Sequence, residues 1–218
     1  MANKKNTSSK SSFPKPHDNI SIKKRTVDAG THLFRIHPSI YGGVTFNNSS
    51  NGNARFSPIT NSVTKTIIPT IYAGDLTEVA ICEVVFHDID LSQDQIIFEQ
   101  KNLHDKNHTE LEIIDDLIVA VLDHTSVIKM RAGKKLIHCD PTEYKTTRMW
   151  AEYIHDQHND VQGLQWPSRQ YEGNAYVFFE DRIKNTTLSI SKSTAVLDDR
   201  EVVKKFLDIA DQMNITIE

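Results

Sequence analysis

The stretch 68-IPTIYAGDLTEVAICEVVFHD-88 changes its hydrophobic period half-way along. Pro69 and the β-branched run into Tyr72 have strand character, whereas Leu76, Val79, Ala80, Val84 and Val85 recur at helical spacing. The change falls at Ala73 and Gly74 and predicts strand, tight turn, helix. Asp75 or Thr77 is the expected N-cap, since a side-chain oxygen there can accept from first-turn amides that lack a helical partner. Glu83 breaks the pattern. It follows Val79 and Ala80 by one turn and is flanked by Cys82, Val84 and Val85, at or beside the face that should be buried. A carboxylate in that position needs a cation, a set of donors or a chemical role. A carboxylate at the edge of the stripe, reaching solvent or one structural arginine, is the plainer reading.

The 218 residues suit one domain with a substantial core. No stretch approaches the roughly 20 apolar residues of a membrane span, and the polar N-terminus has no signal-peptide core, so a soluble, cytoplasmic protein is expected. Cys82 and Cys139 lie in apolar surroundings without CxxC spacing, which suits reduced, packed thiols. The net charge is −4, but residues 1 to 25 hold seven Lys/Arg against Asp18 alone, leaving the rest of the chain acidic. An acidic body argues against direct DNA binding. Residues 1–27, rich in Ser, Asn and Lys and poor in aromatics, are expected to be a disordered basic extension, and residues 28–218 the folded domain.

Folding is expected to begin near Thr31. The segment HLFRIHP alternates, placing Leu33 and Arg35 on one side of a strand and Phe34 and Ile36 on the other. An arginine inside an apolar segment either snorkels from a sheet edge or has a ligand. The following loop, YGGVTFNNSSNGNARFSPI, begins at Tyr41 and brings a second arginine, Arg55. Two arginines approaching one centre in an acidic protein suggest an anionic ligand, because the guanidinium fork matches phosphate oxygens. A buried structural ion pair of Arg35 with Glu83 is the alternative.

Downstream, Ile96–Gln100, Thr109–Ile114, Leu117–Leu122 and Lys134–Cys139 read as strands or short extended pieces, although a buried helix turn would give the same apolar run at Leu117–Leu122, and Asp140-Pro141 introduces a helix from about Glu143 to His158 with Trp150, Tyr153 and Ile154 as its apolar side. His155 and His158, and His104 and His108, have metal-ligand spacing but no third ligand nearby; surface histidines in loops and at helix ends account for them, and no metal is expected. Phosphate-loop, dinucleotide and nucleophile-elbow motifs are absent. Gly163–Trp166 and Asn174–Phe179 read as strands around a Pro167 turn that carries Ser168 and Arg169, residues suited to positioning a substrate. Leu188–Ser191 adds a strand. Asp198 or Asp199 caps a helix to about Gln212, with Val202, Val203, Phe206, Leu207 and Ala210 facing the core.

Arg35 in FRIHP, Arg55 in ARFSP, Tyr72 in IPTIYAG, Glu83 in the next helix and Ser168 in WPSR, with Thr147 and TRMWAEYIH between, resemble in order and context the RES domain, the toxin of bacterial Xre-RES toxin–antitoxin modules. The resemblance runs from about residue 31 to 179. It implies an α/β (α+β) fold of the ADP-ribosyltransferase type, a mixed sheet with surrounding helices. It also implies an enzyme that cleaves NAD+ between nicotinamide and ribose and depletes it by phosphorolysis or hydrolysis, as an NAD+ phosphorylase or glycohydrolase. NAD+ is then substrate, inorganic phosphate a co-substrate of the phosphorolytic route, and no cofactor is required. The implied partner is an Xre-type antitoxin that occludes the active site within an oligomeric complex. Catalytic roles fall to Glu83, Arg35 and Tyr72, and substrate binding to Arg55, Ser168, Tyr41 and Arg169. Rival readings are a protein mono-ADP-ribosyltransferase using the same pocket and a non-enzymatic interaction domain using the basic arm.

Overall fold

The computed structural model describes residues 13–87, 89 and 95–218. Asp88, at the end of the opening stretch, and Lys4, Lys5 and Lys10 of the basic extension lie outside the described residues. Among the described residues, eight strands form the main sheet. In chain order these are β1 (Lys23–Val27), β2 (His32–Pro38), β5 (Thr70–Gly74), β7 (Lys106–Ile113), β8 (Leu117–Val121), β9 (Gly163–Pro167), β10 (Asn174–Phe179) and β11 (Leu188–Ala195). The minor strands are β3 (Ile59–Thr60), β4 (Ile67–Ile68), β6 (Ile96–Phe98) and β12 (Ile215–Ile217). The α-helices are α1 (Thr77–Val84), α2 (His124–Lys129), α3 (Lys135–His138), α4 (Tyr144–Gln157) and α5 (Arg200–Gln212). The sheet order is β1-β8-β9-β10-β5-β2-β7-β11, antiparallel except for the parallel β8–β9 pair, so the architecture is the mixed α/β one expected.

Period-two alternation sorts the strand residues into two faces. Leu164, Trp166, Ala175, Val177 and Phe179 point to one side, where Trp150, Ala151 and Ile154 of α4 cover them; Ile36 on that side packs with α1 and α5. Leu33, Ile71, Leu111, Val119 and Phe178 point to the other. Val27 of β1 and Leu188 of β11, from opposite ends of the strand order, share that second cluster. The sheet therefore curls, and its concave side buries its own apolar residues.

Three expectations need correction. The folded part begins well before Thr31: β1 pairs in register with β8, Phe13 and Ile20 are buried, and Lys23 and Lys24 reach Asp123 and Asp160 at 2.6 Å. A few apolar anchors in a lysine-rich segment suffice because the charged side chains point to solvent and to carboxylates. Lys134–Cys139 is not a strand, since Lys135–His138 form one helical turn, entered from Gly133 at φ +77° and burying both Leu136 and Ile137. Adjacent buried residues break the alternation a half-exposed strand would show. In α5 the buried positions are Val202, Phe206, Ile209 and Ala210, whereas Leu207 is exposed.

Asp199 caps α5, as one of the two expected candidates, accepting from the amides of Glu201 and Val202, and its other oxygen holds Lys192 Nζ at 2.6 Å. The Lys192 hydrogen bond holds this carboxyl below its usual range. A depressed folded pKa contributes stability that is present above the unfolded value of about 3.9 and lost as pH falls below it. Asp199→Ala is expected to cost about 1 kcal/mol at neutral pH. Asp199→Asn should keep part of the cap while flattening the acid limb of the stability curve, which urea melts between pH 3 and 7 would reveal.

Candidate active site

β5, the turn after it and α1 form the frame. Gly74 is required by close approach, because a Cβ there would lie 2.8 Å from Val79 Cγ1. Asp75 and Thr77 do not cap α1; the N-cap position is Leu76, without a side-chain bond. The Asp75 carboxylate instead accepts from Asn174 N at 2.8 Å and Asn174 Nδ2 at 2.7 Å, fastening the turn to the start of β10. Thr77 Oγ1 meets His108 Nε2 at 3.2 Å. With Val79, Ala80, Ile81 and Cys82 all buried, Glu83 is left partly exposed at the last turn of α1.

That turn borders a cavity of about 350 Å³. Glu83 and Val84 of α1, Tyr72 of β5, Trp166 of β9, Arg55 of the 47–58 loop, Tyr144 at the start of α4, and Arg169 and Gln170 of the loop after β9 line it, with Asn53, Ala54 and His87. The Ser168 hydroxyl donates to Glu83 Oε1 at 2.7 Å, joining residues 85 positions apart. Tyr72 stands edge-on to Trp166, and its hydroxyl accepts from the amide of Phe56 at 3.0 Å. Burial pushes the Tyr72 phenol up, so it stays protonated across the physiological range.

Arg55 is only 7% exposed. Its Nη1 donates to the carbonyl of Cys139 at 3.2 Å and approaches Cys139 Sγ at 3.4 Å, and the guanidinium lies 5.0 Å from the centre of the Tyr144 ring. Arg169 Nη1 reaches the same carbonyl at 3.5 Å and Asp140 at 3.2 Å. Two guanidinium groups thus converge on one backbone oxygen at the cavity wall. Among the described residues nothing bonds Nε or Nη2 of Arg55, which leaves donors for an anion. Cys82 and Cys139 are buried free thiols; burial pushes Cys82 up to about 12 and also raises Cys139, so neither is poised as a nucleophile.

The structure does not bring Arg35 to this cavity. By alternation it shares the concave side with Leu33, and its Nη1 donates to the carbonyls of Gly43 at 2.8 Å and Thr45 at 3.3 Å. Burial lowers its pKa to about 10, which still leaves it charged at neutral pH. It organises the 42–46 loop and forms no ion pair with Glu83. Tyr41, 53% exposed in a turn, does not line the cavity either. Tyr144, Asn53 and Gln170 do, without having been singled out from sequence; Tyr144 opens the helix containing TRMWAEYIH, three residues before Thr147, whose hydroxyl bonds the carbonyl of Arg55.

Of the four histidines, His104 is exposed in a turn and His158 lies half-buried at the end of α4, as expected, but His108 and His155 are not surface residues. His155 is buried and bonded to Asp181 at 3.0 Å, and His108 is buried in β7 and stacked on Phe34. Among the described residues no group of three or more His, Cys, Asp or Glu side chains is placed to hold one metal ion, and no helix is long and apolar enough to cross a membrane.

The family model of the RES domain matches residues 32–198, a span that contains every cavity residue named above. The chain belongs to the RES domain family. Among solved structures, this RES domain is similar to the M. tuberculosis MbcT–MbcA toxin–antitoxin complex, with a TM-score of 0.55 and 17% identity, covering 78% of this chain and 85% of the other. At that identity the likeness is one of fold. No curated protein matches the sequence. β1 precedes the matched RES region, and α5 and β12 follow it.

Proposed function

We propose that this RES domain is the toxin of a toxin–antitoxin pair and cleaves NAD+ at the nicotinamide–ribose bond, by phosphorolysis or hydrolysis, under control of an Xre-type antitoxin that covers the cavity. The observation that carries the reading is the Glu83 carboxylate, tied by one oxygen to Ser168, on the wall of a cavity that also holds Arg55. Family membership and the fold shared with a toxin–antitoxin complex support it.

The chemistry asks for these groups. Loss of neutral nicotinamide leaves an oxocarbenium-like ribose, and an oriented carboxylate beside it stabilises the developing positive charge. Ser168 fixes one Glu83 oxygen, so the carboxylate does not have to reorganise as charge develops. Tyr72 and Tyr144 offer aromatic surface to a cationic pyridinium, and Trp166 backs Tyr72 edge-on. Arg55 and Arg169 offer the phosphate-binding charge. The volume lies within the roughly 300–1,000 Å³ of small-molecule sites. A shallower cleft of about 520 Å³, sharing Val84 and His87 with the cavity, gives room for the remainder of a dinucleotide.

The test is to incubate the purified chain with NAD+, with and without inorganic phosphate, and to identify products by mass. Nicotinamide together with phosphorylated ADP-ribose, formed only in phosphate, is the outcome for a phosphorylase; free ADP-ribose in both buffers is the outcome for a glycohydrolase. ADP-ribose attached to protein would redirect the reading to a transferase. Folded, antitoxin-free protein that leaves NAD+ intact in both buffers would overturn it.

A further inference from the structure

His124, the first residue of α2, and His138, the last of α3, bring their Nε2 atoms to 3.1 Å of each other, with ring centres 5.1 Å apart. Both side chains are exposed, and among the described residues neither Nδ1 has a hydrogen-bond partner. Two imidazole nitrogens facing each other at that distance share either the hydrogen of an N–H···N bond between neutral rings or a metal ion. Nitrogens each about 2.05 Å from one ion and separated by this distance subtend an angle of about 98°, within the range of adjacent ligands on a transition metal. We propose that His124 and His138 form a two-histidine site for a divalent transition-metal ion of the Zn2+ or Cu2+ type, with water completing its coordination.

Neutral rings are the ligating form. Binding needs no net proton loss: the ring that donates in the His–His hydrogen bond moves its proton to the exposed Nδ1, leaving two Nε2 lone pairs for the metal. The ion would clamp α2 to α3. His138 directly precedes Cys139, whose carbonyl holds Arg55 and Arg169, so the clamp reaches the cavity wall through one peptide unit. The site stands independently of the NAD+ reading, because its ligands do not line the cavity.

Calorimetric titration of the full chain with ZnCl2 is expected to show one equivalent bound and a metal-dependent rise in melting temperature. His124→Asn and His138→Asn should each weaken binding at least tenfold and cancel the rise, whereas His17→Asn, at another exposed histidine, should change neither. Copper-loaded protein should give an electron paramagnetic resonance signal split by two imidazole nitrogens. Because both ligands are exposed, metal-free melting of the variants should match the parent. Absence of saturable binding to the parent, or undiminished affinity in either ligand variant, would overturn the proposal.

Discussion

Glu83→Gln is expected to lower NAD+ turnover by roughly 10²–10³-fold while leaving the fold intact. The substitution keeps the side-chain length and an amide oxygen able to accept from Ser168, and it removes only the charge. If Glu83 were instead there to neutralise a structural cation, the same change would lower stability and spare turnover. The geometry favours the first outcome: Arg35, the cation that sequence offers as its partner, is engaged with the carbonyls of Gly43 and Thr45. Ser168→Ala should give a smaller loss, on the order of tenfold, because the carboxylate remains but can rotate away from the ribose. The effect on Glu83→Gln should fall on kcat more than on KM, since charge develops only on the way to the transition state. Initial rates on both variants, beside melting curves, check this; full turnover by folded Glu83→Gln protein would sink the assignment.

How far such a site can be read from sequence depends on the range of the forces that build it. Strand β5, its glycine turn and α1 are legible because the hydrophobic period changes from two to 3.6 within a few residues, and Gly74 marks the place where backbone and Val79 come close. Local alternation likewise fixed Arg35 and Leu33 to one face of β2. Which face adjoins the cavity depends on how the sheet curls, a property of eight strands together. The contact of Ser168 with Glu83 spans 85 residues, and only the ordered resemblance to the RES domain placed both in one site. Lys134–Cys139 shows the opposite limit: six residues with a short apolar centre fit a strand or a single helical turn, and burial of both Leu136 and Ile137 decided for the turn. In the N-terminal segment, lysine content masked Phe13, Ile20 and Val27, three spaced anchors that suffice to add a strand to a sheet edge. Tyr144 escaped notice because nothing local distinguishes an aromatic stacked on Arg55 from one in the core of α4.

Trp166→Ala is expected to be the most damaging change to stability that also touches the site. Trp166 is 1% exposed, packs edge-on against Phe56 at 4.9 Å and Tyr72 at 5.8 Å, and sits opposite Ala175 in the middle of the sheet. Truncating a buried Trp costs about 3–5 kcal/mol, which for a chain of this size corresponds to a fall in melting temperature on the order of 10 °C. The small residue opposite cannot fill the space. The three rings are also interlocked, since Phe56 donates its amide to Tyr72 and is followed in the chain by the loop that ends at β3, while Arg55 precedes it directly. Losing the Trp166 ring therefore loosens Phe56, and with it the guanidinium that Cys139 and Tyr144 hold at the cavity wall. The expected kinetic signature is a rise in KM larger than any fall in kcat, the reverse of Glu83→Gln, because a binding wall contributes to ground and transition states alike. Trp166→Phe, which keeps an aromatic edge, should recover most of the stability and part of the KM. Calorimetry and initial rates on the two variants separate the effects; a Trp166→Ala protein that melts with the parent and keeps its KM would mean that neither the packing nor the cavity wall depends on this ring.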